Sequence, residues 1–311
     1  MKGKDLLSVS DLSGEDIQSL ISSAVDMKAK GWSSLLDRKI LALVFEKPSL
    51  RTRVSFEVAM RQLGGHTIYL SPAEVGLGAR ESVPDVARVL SRYVDVIVAR
   101  TFSHQTLEIL GSYSSVPVIN ALSDLEHPCQ ALADLLTIYE KKGEFQGLTL
   151  AFVGDGNNVA HSLLLAASLV GMDFRIVSPT NYRVQDRLLR LAEEYARESG
   201  AEIFCTEDPQ LGVTQADVVY TDVWTSMGQE AEAEQRRQIF ACYQVNRELL
   251  SLADEDAIVM HPLPAHHGEE LAEGILDSPQ SVVFDQAENR MHLQKALLAE
   301  MLGGLETTAG G

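Results

Sequence analysis

Hydroxyl and guanidinium groups are concentrated in one short stretch, residues 45–57 (FEKPSLRTRVSFE). An apolar run ends there, a proline turn follows, and a helical pattern begins near Thr52. Ser49 is a helix-capping residue type, and Arg51 and Arg53 stand at the helix start. Free backbone N–H groups, the positive end of the helix dipole and guanidinium forks together form a phosphate site. A capped helix with solvated arginines gives the same pattern, but the net charge of −18 favours an anion site here.

Polar side chains follow two further apolar runs. Arg100 comes directly after VDVIVA, and His127 and Gln130 stand at the start of a helical pattern in EHPCQALADLL. An arginine at the end of a parallel strand lies where open sheets bind ligands, although taken alone it is more often a surface residue. Pro128 as a first helical residue with His127 as its cap is the structural alternative. As functional groups, a neutral imidazole and an amide polarise carbonyl oxygens, which indicates binding of an activated phosphorylated compound.

A glycine-rich turn, GDGNN, occupies residues 154–158 after another apolar run. It is similar to a dinucleotide-binding fingerprint, but Val159 stands where the third glycine belongs. Ser178 stands where a ribose-binding carboxylate is expected. The sequence contains no G-x-x-x-x-G-K-[ST], which excludes a P-loop. A nicotinamide dehydrogenase is therefore a disfavoured alternative.

Two later motifs offer groups suited to an amine. Asp222 follows an apolar run and can pair with a cationic amine, and Ser226-Met227-Gly228 forms a polar loop able to close over a small ligand. In MHPLPAHHGEE, two prolines fix the backbone, so carbonyls near Leu263 are available to accept hydrogen bonds from an amine. The spacing H-x-x-x-x-HH matches neither zinc nor iron patterns, so the sequence predicts no metal site.

The remaining sequence supplies elements that place these groups at strand ends. Short apolar runs rich in β-branched residues are separated by stretches with helical periodicity, such as 53–63 and 184–198. The runs are Ile40–Phe45, Thr67–Leu70, Val94–Ala99, Val116–Ile119, Leu148–Val153, Phe174–Val177, Val218–Tyr220, Ala257–Met260 and Val282–Phe284. This alternation predicts an α/β fold of two doubly wound parallel-sheet domains joined by helices. Ligand sites are then expected at the carboxyl ends of the strands.

The division between the two domains is expected near Gly143. A long helical stretch, Cys129–Lys142, ends at that glycine and is followed by a new apolar run. The first domain is predicted at residues 1–143 and the second at 144–286, with the final helix at 287–303 packing back on the first. A length of 311 residues agrees with two domains, because one hydrophobic core rarely serves so long a chain.

Charge and cysteine content exclude several classes of protein. A net charge of −18 and a pI near 4.8 disfavour nucleic acid and anionic membranes as partners. Three cysteines, far apart and without a CxxC, predict neither a disulfide framework nor a zinc site, and no cofactor is predicted. No stretch approaches the roughly 18–20 consecutive apolar residues of a spanning helix, and the N-terminus lacks the features of a signal peptide. A cytoplasmic location is expected.

In this order, the motifs resemble those of the transcarbamoylase family, and of its ornithine carbamoyltransferase branch in particular, from about residue 40 to about residue 300. Residues 49–53 (SLRTR) are similar to the family's S-T-R-T-R loop, and the D-x-W-x-S-M-G block is typical of the ornithine branch. The resemblance implies carbamoyl-phosphate binding by Ser49, Leu50, Arg51, Thr52, Arg100, His127, Gln130 and Arg290. It implies ornithine binding by Asn158, Asp222, Ser226, Met227, Pro262 and Leu263. The implied catalytic residues are Arg51, Arg100 and His127.

Three positions depart from the family pattern. Leu50 replaces a threonine at a position expected to contribute mainly its backbone N–H. Gly76 stands where many members carry a glutamine that reaches the carbamoyl phosphate of a neighbouring subunit. Pro262 replaces the cysteine of H-C-L-P, a thiol often assigned to accepting a proton or positioning the amine. The H-P-L-P sequence is closer to the aspartate branch.

The activity implied by the resemblance is carbamoyl transfer from carbamoyl phosphate to the side-chain amine of L-ornithine. The products are L-citrulline and phosphate, which places the chain in arginine metabolism, with arginine biosynthesis as one of its directions. The implied partners are these two substrates and further copies of the chain, in a homotrimer with shared active sites. A transcarbamoylase for putrescine, an N-acylornithine or aspartate, and a non-catalytic binding paralogue, remain as alternatives.

Overall fold

In the computed structural model the chain folds into two units, each built from buried strands that alternate with helices. The first unit contains Met1–Leu136 together with the described residues from Asn289 onwards, and the second contains Thr137–Glu288. The structure describes residues 1–78, 80–226 and 228–303. For Glu230 it describes only the backbone.

The first unit is built on a four-stranded parallel sheet with the strand order β2-β1-β3-β4. Its strands are β1 (Ile40–Phe45), β2 (His66–Leu70), β3 (Val96–Arg100) and β4 (Val118–Leu122). Five of the six residues of β1 and all five of β3 are buried, as expected for strands covered on both faces. Phe45 pairs with Arg100, and Arg100 in turn pairs with Leu122. The carboxyl ends of β1, β3 and β4 therefore lie side by side.

Helices connect the parallel strands of this unit, because a parallel connection needs a crossover. The connecting helices are α2 (Leu50–Gln62), α3 (Pro72–Val75), α4 (Val83–Leu90) and α5 (His104–Tyr113), and helix α1 (Gly14–Lys30) precedes β1. Two longer helices, α6 (Pro128–Lys142) and α12 (Val283–Leu302), contribute residues to both units.

Helix α12 is attached to the rest of the first unit by a buried lysine. The Nζ of Lys295 donates to the carbonyl oxygens of Met27 and Gly31, at 2.8 and 3.1 Å, and to Oε1 of Gln62 at 3.1 Å. Met27 and Gly31 lie at the end of α1, where a cation satisfies free carbonyls and favours the helix dipole. Burial lowers the pKa of Lys295.

The second unit is built on a five-stranded parallel sheet with the order β7-β6-β5-β8-β9. Its strands are β5 (Thr149–Val153), β6 (Asp173–Val177), β7 (Ile203–Thr206), β8 (Val218–Thr221) and β9 (Ile258–Met260). Its remaining helices are α7 (Asn158–Val170), α8 (Asp186–Ser199), α9 (Pro209–Val213), α10 (Ala233–Phe240) and α11 (Arg247–Leu250). The buried core of this unit lies mainly along β5 and β8 and around Trp224 and Phe240.

Two parallel sheets with flanking helices confirm the predicted fold class. The strand predicted at Val282–Phe284 is wrong, because α12 already begins at Val283. The segment before α12 bridges to β9 at Val259, whose N–H donates to the carbonyl of Gln280 and whose carbonyl accepts from the N–H of Val282. Strand β7 was not predicted, since it is a short edge strand whose residues are all at least partly exposed. No helix in the described part of the chain has the length and apolar character needed to cross a membrane.

Candidate functional site

The N-terminus of α2 lies at the carboxyl edge of the first sheet. Ser49 caps this helix, and its Oγ accepts from the N–H of Thr52 at 3.4 Å. The Leu50 side chain is 78% exposed, so this residue offers its backbone N–H to the helix mouth rather than its side chain. Free N–H groups at a helix N-terminus bind anions. The N-terminus of α2 is the first helix start after β1.

Three arginines, Arg51, Arg100 and Arg290, form what we call the arginine cluster. Arg100 ends β3 and is 9% exposed, and Arg290 on α12 is 4% exposed. Burial, followed by the positive charges of Arg290 and Arg51, lowers the pKa of Arg100 to about 10. Nη2 of Arg290 donates to Oγ1 of Thr52 at 2.7 Å, whereas Nε of Arg100 is buried with no hydrogen-bond partner among the described residues. Buried cations that repel one another are stabilised by an anion, which makes the cluster a candidate anion site.

His127 and Gln130 lie beside this cluster at the start of α6. His127 is 5% exposed, and its pKa is held well below its usual value by burial and then by the charges of Arg290 and Arg100. The imidazole is therefore neutral at neutral pH. Nε2 of Gln130 donates to Oδ1 of Asp134 at 2.8 Å. The structure thus brings together the first set of residues implied by the family resemblance.

Two basic residues near the cluster differ from the sequence-based expectation. Lys47, in the turn before α2, has a pKa lowered by burial and by the charge of Arg100, so it adds positive charge that sequence reasoning missed. Arg53, expected at the helix mouth, instead pairs with Glu57 at 2.9 Å and stacks on Tyr69, with 3.8 Å between its guanidinium carbon and the ring centroid. Arg53 therefore acts at the surface of α2.

In the second unit, Asp222 follows β8 directly and is 8% exposed. Its Oδ2 accepts from Nδ2 of Asn157 at 2.7 Å, and its Oδ1 accepts from the N–H of Val223 at 2.8 Å. Burial raises the pKa of Asp222, an effect partly offset by His261 and by these hydrogen bonds. No lysine or arginine in the described ranges forms an ion pair with Asp222, so this buried carboxylate is suited to an ammonium ligand.

Asn157 links the ends of two neighbouring strands. Its Oδ1 caps α7 by accepting from the N–H groups of Val159 and Ala160, while its Nδ2 reaches Asp222. Asn158, the residue named by the sequence, is the half-buried first residue of α7. The capping residue type of Asn157 is the signal that sequence reasoning passed over.

The glycines of GDGNN are explained by packing rather than by a nucleotide. A Cβ on Gly156 would lie 2.3 Å from the backbone nitrogen of Val184, and Gly154 has a φ of +139°. Ser178, at the ribose-binding position of a nicotinamide fold, donates its hydroxyl to the carbonyl of Gly154 at 2.6 Å. These contacts account for the fingerprint and further disfavour a dehydrogenase.

A buried ion pair that the sequence did not predict holds the segment between Asp222 and Ser226. Nη1 of Arg236 donates to Oδ2 of Asp155 at 2.7 Å and to the carbonyl of Trp224 at 2.9 Å. The side chains of Arg236 and Asp155 are only 7% and 11% exposed. Arg236 therefore fixes the backbone of this segment to the turn after β5.

The rest of the polar loop closes on itself. Ser226 N–H donates to Oε1 of Gln229 at 3.0 Å, and Gln229 N–H donates back to the carbonyl of Ser226. Met227, which the resemblance implies in ornithine binding, lies outside the described residues.

The H-P-L-P segment follows β9 and is held by a buried histidine. Nδ1 of His261 accepts from the N–H of Leu263 at 2.9 Å, so the ring proton lies on Nε2 and is donated to Oε1 of Glu270 at 3.1 Å. Leu263 adopts a left-handed φ of +56°, and Pro262 is buried. Hydrogen bonds from His261 and the N–H of His266 lower the pKa of Glu270, against the effect of its burial.

One group of potential metal ligands lies close to this segment. His266, Glu269 and Glu270 place ligand atoms within 4.8 Å of one another. Arg237 already pairs with Glu269 at 2.9 Å, and His261 bonds to Glu270. Both carboxylates therefore already have protein partners, those of Glu270 bonding to its Oε1.

Gly76 also has a local explanation. It ends α3 with a φ of +51°, where a Cβ would lie 3.1 Å from that of Arg80. A glutamine at this position would be strained, because side chains other than glycine disfavour this conformation.

Both units resemble proteins of known sequence and structure. The model of the carbamoyl-P binding domain of aspartate/ornithine carbamoyltransferases matches residues 4–140, and that of the Asp/Orn binding domain matches 146–301. An ornithine carbamoyltransferase from Anoxybacillus flavithermus is 53% identical over 306 residues, covering 97% of this chain and 98% of that protein. An anabolic ornithine carbamoyltransferase from Pyrococcus furiosus is 51% identical over 312 residues, covering 98% of each. A solved structure of ornithine carbamoyltransferase from P. furiosus has a TM-score of 0.95 at 51% identity, covering 98% of this chain and 99% of that one.

Replacing Arg236 with Met should destabilise the protein strongly, because Asp155 would remain buried without its cation. We expect the free energy of unfolding, measured in urea, to fall by about 3–5 kcal/mol. The matched control is Arg237→Met, whose ion pairs are partly exposed and whose loss should lower the free energy of unfolding much less. Equal effects of the two substitutions would contradict the role given to Arg236.

Proposed function

Because the chain belongs to the aspartate/ornithine carbamoyltransferase family, we propose that it transfers the carbamoyl group of carbamoyl phosphate to the δ-amine of L-ornithine. Its relatives at about 50% identity are ornithine carbamoyltransferases, one of them anabolic, which supports this activity in arginine biosynthesis. The observation that carries the proposal is the arginine cluster. Arg51 and Arg100 lie in the part of the chain matched by the carbamoyl-P binding model, and Arg290 lies in the part matched by the Asp/Orn binding model.

Carbamoyl phosphate is assigned to the first unit. Its phosphate is held at the mouth of α2 by Ser49, by the backbone N–H of Leu50, and by Arg51 and Thr52, with Arg100 completing the charge. A phosphate carries enough negative charge to offset the repulsion among the three arginines, which a monovalent anion would do only in part.

The carbamoyl group is assigned to Arg100, His127, Gln130 and Arg290. Arginine and imidazole N–H groups donate to its carbonyl oxygen, where negative charge develops as the amine attacks. In comparable sites, removal of one such donor costs about 2.7–4 kcal/mol of transition-state stabilisation. An imidazolium would add a further positive charge beside the arginines, so this role requires a neutral His127. The lowered pKa of His127 supports the neutral state.

Ornithine is assigned to the second unit, which the Asp/Orn binding model matches. Asp222 pairs with the α-ammonium group, because it is a buried carboxylate already oriented by Asn157. The residues assigned to the rest of the substrate are Asn158, Ser226, Met227, Pro262 and Leu263. The carbonyls beside Leu263 accept from the δ-amine, and the buried Pro262 supplies no thiol for proton transfer.

The transfer needs no covalent intermediate with the enzyme. The neutral δ-amine attacks the carbamoyl carbon, a C–N bond forms, and the C–O bond to phosphate breaks. The amine proton leaves with the phosphate, so the products are L-citrulline and hydrogen phosphate. The protein contributes mainly orientation and charge complementarity.

We also propose a cytoplasmic homotrimer with shared active sites. Exposed apolar side chains support an interface on the first unit, since Leu50 and Val54 lie four residues apart on α2 at 78% and 48% exposure. Ile68 on the edge strand β2 is 46% exposed. The three free cysteines agree with a reducing compartment.

The acceptor is tested by a citrulline colour assay with carbamoyl phosphate and a panel of ornithine, putrescine, N-acetylornithine and aspartate. We expect ornithine to be preferred by at least about a hundredfold in kcat/KM. N-acetylornithine lacks the α-ammonium group that pairs with Asp222, and putrescine keeps an ammonium group there but lacks the α-carboxylate. The rate should rise between pH 6 and 9, because a free alkyl amine with a pKa near 10.4 is mostly protonated in this range. Preference for another amine, or a flat pH profile, would contradict the assignment.

The phosphate site is tested by comparing Arg51→Ala with Arg53→Ala. Loss of Arg51 should weaken carbamoyl-phosphate binding by about a hundredfold or more, since charge-assisted contacts to phosphate are strong. Arg53→Ala is the matched control, because that side chain is engaged with Glu57 and Tyr69. Near-normal binding by Arg51→Ala, measured by calorimetry, would show that the anion binds elsewhere.

A further inference from the structure

Gln130 and Asp134 form a buried pair on one face of α6. They are four residues apart, 1% and 0% exposed, and joined by the 2.8 Å hydrogen bond from Nε2 of Gln130 to Oδ1 of Asp134. The other end of the amide, Oε1 of Gln130, is buried and accepts no hydrogen bond from the described residues.

The carboxylate of Asp134 determines which way the amide points. A carboxylate only accepts hydrogen bonds, so the NH2 end of Gln130 turns towards it and the oxygen end turns away. A buried acceptor left without a donor is unfavourable, so Oε1 needs a donor from a ligand.

The first turn of α6 lies beside the guanidinium groups of Arg100 and Arg290, which only donate. The N–H of Gln130 bonds to the carbonyl of His127, and the charge of Arg290 acts on both His127 and the adjacent Cys129. The arginines satisfy the phosphate and carbonyl oxygens of the substrate, which are all acceptors. The one donor that carbamoyl phosphate offers is its NH2 group, and the Gln130 oxygen is the matching acceptor.

We propose that Asp134 is a positioning residue that makes the site selective for a carbamoyl over an acetyl group. It fixes the Gln130 oxygen towards the substrate NH2, so a methyl group in its place leaves that oxygen unpaired. This inference rests on the proposed function, which places the carbamoyl group against Gln130. Acetyl phosphate, which has the same shape with CH3 in place of NH2, is the ligand that this device rejects.

The test compares two stable phosphonates by calorimetry, phosphonoacetamide and acetonylphosphonate, which differ only in NH2 against CH3. The unmodified enzyme should bind phosphonoacetamide at least about tenfold more tightly. Asp134→Leu, which removes the acceptor, should bring this ratio close to one. Asp134→Asn, which allows both amide orientations, should give an intermediate ratio. The affinity for inorganic phosphate should change by less than about threefold in either variant, because the arginine cluster is untouched.

A paired substitution separates positioning from a general structural effect. Gln130→Glu has two acceptor oxygens and needs no orientation, and Asn at position 134 can donate to one of them. The double variant Gln130→Glu with Asp134→Asn should therefore regain most of the selectivity ratio lost in Asp134→Asn. An unchanged ratio in Asp134→Asn and Asp134→Leu, or equal losses for phosphonoacetamide and inorganic phosphate, would overturn the role of Asp134. An unmodified enzyme that binds neither phosphonate would overturn the carbamoyl-phosphate assignment itself.

Discussion

The arginine cluster is the constraint on which the first unit depends. Three guanidinium groups lie close enough that two of them lower the pKa of the third, and their positions come from β3, α2 and α12. Repulsion among the three arginines opposes folding unless a bound anion offsets it. The fold therefore favours binding of a phosphorylated ligand. Burial and then the charges of Arg290 and Arg100 lower the pKa of His127, so its imidazole stays neutral and adds no fourth charge. The positive charge of the arginine cluster thus favours a phosphorylated ligand and helps to keep the His127 imidazole neutral beside the carbonyl oxygen.

The second unit contains buried groups of the opposite charge, the carboxylates of Asp155 and Asp222. Asp155 is neutralised internally by Arg236, whereas Asp222 receives hydrogen bonds from Asn157 and a backbone N–H. The first pair is structural, because it ties the segment around Trp224 to the turn after β5. The second carboxylate is left oriented for a substrate ammonium group. The strand order reverses next to β5 and β8, which is where open parallel sheets bind their ligands.

The sequence allowed much of this arrangement to be predicted, because parallel strands buried on both faces appear as continuous apolar runs. Strand β1 was predicted with the bounds that the structure gives, and the residues after β1, β3, β5 and β8 were recognised as a polar set. Val282–Phe284 was misassigned because three apolar residues at a helix start look like a strand. Arg236 and Asp155 could not be paired from the sequence, since they are 81 residues apart. The pairing of Gln130 with Asp134 was visible as a four-residue spacing on a helix, but its meaning required the burial of both side chains.

The central claim is that the arginine cluster binds the phosphorylated substrate, and a crystal structure with phosphonoacetamide tests it most directly. We expect the phosphonate at the mouth of α2, within hydrogen-bond distance of Arg51 and Arg100, and the amide beside His127 and Gln130. A phosphonate bound instead at the GDGNN turn of the second unit, with the arginine cluster empty, would contradict the account.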